Sequence, residues 1–237
     1  MRFKLEFALE NEEIPIQYRK SIISFIKFSL SSYNEEYYKK FYNNRDNIIK
    51  PYTFSVYFNQ PQIKEDTIII KDKKIELNIS AGDYETAIIL YNSLNNQKYE
   101  KFSINKNSWI LNNIAMIIEK EVISESINIK FQSPLCVRSR QNNKDYYYSF
   151  KHEEFENILK INIKEQLKIT NMPETIVDNF KIVPIKAKKL VIKFYEKQIE
   201  CSSGIFNITG ERELLTYLYK NGIGSKHSAG FGMFQII

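Results

Sequence analysis

Residues 2–9, RFKLEFAL, alternate apolar Phe3, Leu5, Phe7 and Leu9 with Arg2, Lys4 and Glu6. A period of two predicts a strand with one buried face. From Pro15 the period changes. Tyr18, Ile22, Phe25, Ile26 and Leu30 recur at helical spacing, and Pro15 suits a first turn. The stretch NEEYYKKFY, ending at Tyr42, predicts a second helix. Pro51 restarts extended structure in PYTFSVYF, and DTIIIKDKKIELNIS predicts extended segments across a polar turn at Lys71 to Lys74. Gly82 and Asp83 then punctuate, YETAIILYNSLNNQ reads as a helix, and SWILNNIAMIIEKEV reads mainly as a strand.

The second half repeats this order. SINIKFQSPLCV is a strand, and KHEEFENILKINIKEQLKIT is a helix with Phe155, Ile158, Leu159, Ile163 and Leu167 on one face. Residues 181–210 form a long hairpin or a pair of strands. ERELLTYLYKNG is a helix ended by Gly222, a natural residue just past a helix C-terminus. GFGMFQII is the last strand. Each half therefore reads β-α-β-β-α-β, the ferredoxin-like order. The expected fold class is α+β with two tandem ferredoxin-like domains, residues 1–123 and 124–237, joined near Ile123 to Ser126. The halves share topology without evident sequence identity.

Hydrophobic residues make up 43% of the 237, enough for a core of this size. The net charge of +6 permits an anionic partner. Ile, Lys, Asn, Tyr and Phe are all abundant, as an AT-rich genome would produce, so part of the lysine and aromatic excess is discounted. Cys136 and Cys201 stand alone, and His152 and His227 lie far apart, so neither a local zinc motif nor a disulfide framework is expected. The opening residues lack a continuous apolar segment of signal-peptide type, and no run approaches 18 apolar residues. The expectation is a soluble cytoplasmic protein with no membrane partner, no metal and no cofactor.

Four of the seven glycines fall in the final segment GIGSKHSAGFGMFQII: Gly222, Gly224, Gly230 and Gly232. Glycine permits close backbone approach, and successive loop amides can form a nest for an anion. Ser225, Lys226, His227 and Ser228 add hydroxyls, a charge and an imidazole. Such a loop suits phosphate oxygens; it equally suits a tight turn into a bulged strand. It is neither a Walker A loop nor a dinucleotide fingerprint. In VRSRQNNKDYYYSF, Arg138 and Arg140 share a strand face ahead of Tyr146, Tyr147 and Tyr148. Arginine forks suit phosphate, and tyrosines stack on unpaired bases. The same stretch also reads as an ordinary hairpin. Lys181, Lys186, Lys188, Lys189, Lys193 and Lys197 stand with one acid, Glu196, within 181–199; they can line an electropositive groove or protect a solvated edge strand.

GIGSKHSAGFGMF resembles the C-terminal glycine-rich loop of the Cas6 family of CRISPR RNA endoribonucleases, GxGxxxxxGxG. NITGERELLTYLYKNG, FQSPLCVR, KPYTFSVYF and YRKSIISFI are similar, in order, to further segments of that family. The resemblance implies cleavage of precursor CRISPR RNA within its repeats without a metal. The 2′-hydroxyl attacks the adjacent phosphate, leaving a 2′,3′-cyclic phosphate and a 5′-hydroxyl. It implies as partners the repeat RNA, as precursor transcript and mature guide, and other subunits of an interference complex. Many relatives carry a histidine before the FTFS-like strand. Here Tyr42 or Asn43 takes that place, Ser24 stands where some relatives have a tyrosine, and Lys50 matches a lysine just before the strand.

Two readings follow. Tyr42, Lys39 and Lys50 form a histidine-free catalytic site, or the chain binds repeats without cutting them. The RNA-binding set is Gly222, Gly224, Ser225, Lys226, His227, Gly230, Gly232, Arg138, Arg140, Lys186, Lys188 and Lys189. His152 reads as a solvated residue at a helix start.

Overall fold

The structure, a computed structural model, describes residues 1–42 and 49–237. The chain divides into two compact units, Met1–Pro51 with Ser55–Ile118, and Tyr52–Phe54 with Glu119–Ile237. The elements are β1 (Arg2–Leu9), β2 (Glu13–Pro15), α1 (Tyr18–Tyr33), α2 (Glu35–Tyr42), β3 (Tyr52–Tyr57), β4 (Gln62–Ile63), β5 (Thr67–Ile69), β6 (Lys74–Ala81), α3 (Tyr84–Asn95), β7 (Lys101–Ile104) and β8 (Asn107–Ile117). There follow β9 (Ser126–Phe131), β10 (Val137–Gln141), β11 (Lys144–Tyr148), α4 (Phe155–Leu167), β12 (Lys181–Phe194), β13 (Lys197–Thr209), α5 (Arg212–Asn221) and β14 (Phe234–Ile236).

In the first unit the sheet order is β3-β6-β1-β8-β7. The alternation in β1 does what its period predicts: Phe3, Leu5, Phe7 and Leu9 are all buried. Helices α1 and α3 cover that face. Phe25 of α1 meets Phe7 edge-on at 5.1 Å, and Tyr91 of α3 meets Phe3 at 6.1 Å. The Asp83 carboxylate caps α3 by accepting from the Thr86 amide at 2.7 Å, worth about 1 kcal/mol.

Two features depart from the sequence pattern. Strand β7 precedes β8 across a turn at Asn105 and Lys106, both with positive φ and neither a glycine, so the usual hairpin signal is missing. A small sheet, β2-β5-β4, is inserted between the main strands.

The second unit runs β9-α4-β12-β13-α5-β14, with the β10–β11 hairpin inserted after β9. Its sheet order is β12-β13-β9-β14, all antiparallel. Numbering the four framework strands by their place in each unit, both sheets read 2-3-1-4, so both units are ferredoxin-like and the fold is α+β. The core joins Ile129 and Phe131 of β9, Phe206 and Ile208 of β13, Leu159 and Ile163 of α4, and Leu215 and Leu218 of α5. Strand β14 is shorter than its apolar run, because residues 230–233 belong to the preceding loop.

Candidate functional site

The glycine loop starts where α5 ends. Gly222 has φ +82°, which stops the helix and turns the chain. Its amide closes onto the Leu218 carbonyl at 2.9 Å. The amide of Ile223 donates to Gly232 O at 3.0 Å, that of Ser225 to Cys136 O at 2.7 Å, and that of Gly232 to Pro134 O at 2.9 Å. Gly224 N donates to the side-chain oxygen of Gln166 at 3.2 Å, while the Gln166 amide donates to Gly222 O at 3.1 Å. Met233 N donates to Ser133 Oγ at 2.9 Å. The loop is thus laced to the segment FQSPLCVR and to one buried glutamine of α4. Two stretches that stood apart in the sequence, and that carried the resemblance, are hydrogen-bonded partners.

The glycines are buried and closely packed. A Cβ on Gly224 would stand 2.6 Å from Cys136 O, and one on Gly230 would stand 2.5 Å from the Phe54 ring, both at positive φ. The amides of Gly222, Gly224, Gly230 and Gly232 are directed at protein acceptors, which differs from an open anion nest. His227 is also buried, with Nδ1 3.0 Å from the Tyr52 carbonyl. Ser225, Lys226 and Ser228 are half-buried and form the accessible part of the loop. Lys226 has a left-handed backbone, and its ammonium lies 5.6 Å from the Phe194 ring centre. Burial lowers its pKa below the ordinary lysine value.

Arg138 sits on β10 opposite Tyr147 of β11, with Arg140 opposite Asp145. Arg138 is half-buried and reaches Asp145 at 3.3 Å; Arg140 is exposed. Asn162 of α4 pairs both ways with the Arg138 backbone, accepting from its amide at 2.9 Å and donating to its carbonyl at 2.7 Å, which fixes this strand edge. The β12 lysines are exposed. Strand alternation puts Lys186 and Lys188 on one face and Lys189 on the other, where it pairs with Glu200 at 3.1 Å.

In the first unit, α1 and α2 bring together a second group. The ring of Tyr42 has the Lys50 ammonium 4.8 Å from its centre and the Lys27 ammonium also at 4.8 Å. Tyr38 stacks on Tyr42 at 5.7 Å. Burial, and then the charge of Lys27, lowers the pKa of Lys50. Lys27 was not among the residues expected from the sequence. It reads there as one more polar position of an amphipathic helix. Lys39 is exposed on α2, apart from the contacts to the Tyr42 ring, and Ser24 is exposed on α1. Asn43 lies outside the described residues. His152 is exposed, with Nδ1 3.1 Å from the Ser149 amide nitrogen.

Among the described residues, no helix is long and apolar enough to cross a membrane.

Residues 117–236 match the family described as "CRISPR associated protein Cas6, C-terminal". The chain is 25% identical over 247 residues to the CRISPR-associated endoribonuclease Cas6 1 of Methanocaldococcus jannaschii, covering 98% of this chain and 91% of that protein. A solved structure described as "Characterization of a Cas6-related gene from Pyrococcus furiosus" superposes with a TM-score of 0.87 at 23% identity, covering 100% of this chain and 98% of that one. Another, described as "An RAMP protein binding different RNA substrates", gives 0.84 at 22% identity, covering 100% and 99%. At those identities the two structures establish the fold. The match over residues 117–236 spans the whole glycine loop, its helix and the segment that clamps it, and on that match the chain belongs to the Cas6 family.

Proposed function

We propose that this protein binds CRISPR repeat RNA and cleaves the precursor transcript within each repeat, without a metal ion, using the 2′-hydroxyl as nucleophile. The 2′-oxygen displaces the 5′-oxygen at phosphorus, the 2′ proton passing to solvent and the 5′-oxygen taking one from solvent, so the products are a 2′,3′-cyclic phosphate and a 5′-hydroxyl. The observation that carries the reading is the pair of ammonium groups on the Tyr42 ring. Among the described residues no carboxylate pairs with either ammonium, and two cations held together, one of them desolvated, repel each other unless an anion joins them. An RNA phosphate that gains charge in a phosphorane-like transition state is such an anion.

In this reading Lys50 and Lys27 stabilise the developing charge, and Tyr42 holds both ammonium groups through its ring. Lys39 supplies further positive charge from the exposed face of α2. Lysine and tyrosine are poor bases at neutral pH, so the rate is limited by proton removal from the 2′-hydroxyl. Slow single turnover is acceptable for a protein that retains its product. The RNA contacts come from Ser225, Lys226, Arg138, Arg140, Lys186 and Lys188, with the four glycines and His227 giving the loop its shape.

A second reading has its own observation. Both histidines, His152 and His227, lie in the second unit, and the first has none. A relative that binds repeats without cutting, or a scaffold subunit of an RNA-guided complex, needs no such group. The experiment is single-turnover cleavage of a labelled repeat RNA by excess protein in EDTA, with the product ends identified. Cyclic phosphate and 5′-hydroxyl ends in EDTA support the nuclease. Tight binding without any cut supports the second reading, and cleavage only with Mg²⁺ overturns the mechanism.

A further inference from the structure

The β10–β11 hairpin and the start of β13 place two cationic side chains on one carboxylate, and the loop brings a third, Lys226, within electrostatic range of it. Asp145 accepts from Lys197 Nζ at 2.8 Å through one oxygen and from Arg138 Nη1 at 3.3 Å through the other. The Tyr147 hydroxyl lies 3.5 Å from the oxygen shared with Lys197. Lys226 is close enough for its charge to act on Asp145. The Asp145 side chain is only 10% exposed, whereas Arg138 is 32% and Lys197 57% exposed.

Three cations face one anion, so the group is left with an excess of positive charge. The acid is inside, and two of the cations are at the surface. A buried carboxylate holds basic side chains in place and cannot itself neutralise them all. The hydrogen bond from Lys197 keeps the Asp145 carboxyl below its ordinary pKa, against the opposing effect of burial. Burial, followed by the Asp145 charge, pushes the Tyr147 phenol up to about 12, so it stays a proton donor at neutral pH.

We propose that Asp145 organises Arg138, Lys197 and Lys226 into a subsite for one backbone phosphodiester of the RNA. This rests on the RNA-binding reading above and deepens it. It names Lys197, which its position among other surface lysines does not single out, and it makes Asp145 a positioning residue. Phosphate oxygens complete the coordination that a single carboxylate leaves open. They also relieve the desolvation of the Lys226 ammonium above the Phe194 ring.

The test uses the full chain and a labelled repeat RNA oligonucleotide, titrated at several salt concentrations, with thermal melting of each variant as a control for folding. Lys197→Ala, an exposed position, is expected to weaken binding about three- to fivefold. It should also lower the slope of log affinity against log salt by about 0.7. Asp145→Asn removes a negative charge, so a merely Coulombic patch would bind RNA more tightly. The organised subsite instead binds more weakly, and Asp145→Glu restores part of the loss. An unchanged salt slope for Lys197→Ala overturns the subsite even if Asp145→Asn fails to fold. So does tighter binding by a folded Asp145→Asn. A wild type that binds no repeat RNA at low salt overturns the RNA reading, and the subsite with it.

Discussion

The glycine loop and the Lys27–Tyr42–Lys50 group differ in how their polar atoms are balanced. In the loop, the amides of all four glycines donate to protein acceptors, and a Cβ at Gly224 or Gly230 would collide with backbone or ring atoms. In the lysine group, two ammonium groups share one aromatic ring, and burial works against the charge of one of them. The most specific motif in the sequence is therefore one whose glycine amides are already satisfied within the protein. The lysine group, in which no carboxylate pairs with either ammonium among the described residues, has almost no sequence signature.

The largest expected effect tests the loop half of this comparison. Gly224→Asp or Gly230→Asp forces a side chain into positive φ and into occupied space. The backbone and packing costs together are about 2–5 kcal/mol. That corresponds to a loss of about 5–20 °C in Tm, read by calorimetry. Any loss of binding should then track the loss of folded protein as temperature rises, rather than the loss of a phosphate contact. A variant that melts like wild type but no longer binds RNA would instead return the glycine amides to the interface.

Next comes the lysine group. Lys50→Met and Lys27→Met should each slow single-turnover cleavage at least tenfold, the lower end of what a participating group contributes, with RNA affinity changed much less. Lys50→Met should also melt no lower than wild type. The folded state holds Lys50 below its ordinary pKa, so its protonation opposes folding at neutral pH. That penalty is relieved as pH rises through the window from the lowered value to the ordinary one near 10.5. Lower thermal stability of Lys50→Met would show the ammonium to be a structural group.

The ring and the hydroxyl of Tyr42 are separable. If the ring holds the lysines, Tyr42→Ala slows cleavage about tenfold and Tyr42→Phe has little effect. Equal damage from both would make the hydroxyl a participant. The pH profile bears on the same point. Removal of the 2′ proton to solvent itself speeds up with pH, so the signature is a ratio: the advantage of wild type over Lys50→Met should shrink as pH climbs through the lowered pKa of Lys50, at a pH below that of an ordinary lysine. An advantage that grows through that window would make the neutral amine a base.

The smallest effect is expected at Lys189, which already has Glu200 as a partner on the face opposite Lys188. Lys189→Ala should leave the salt dependence of RNA binding almost unchanged, whereas Lys188→Ala should lower its slope by about 0.7. Equal slopes would mean that the RNA reaches both faces of the hairpin.

By itself the sequence determined the framework of each unit. The alternation of Phe3, Leu5, Phe7 and Leu9, the helical spacing of Ile22, Phe25, Ile26 and Leu30, and the corresponding patterns in the second half are local, and each appears as read. They are legible because a buried face imposes its period on consecutive residues. The β7–β8 hairpin was not legible, because Asn105 and Lys106 adopt positive φ without the glycine that marks such turns. The residues of the candidate sites were only partly legible. Tyr42 and Lys50 lie eight positions apart on either side of residues 43–48, but Lys27 comes from another helix. Gln166, Asp145 and Lys197 likewise reach their partners across long stretches of chain. A side chain's charge is written in the sequence; whether that charge is balanced depends on what the fold brings within a few ångströms of it, and only the tertiary structure decided that.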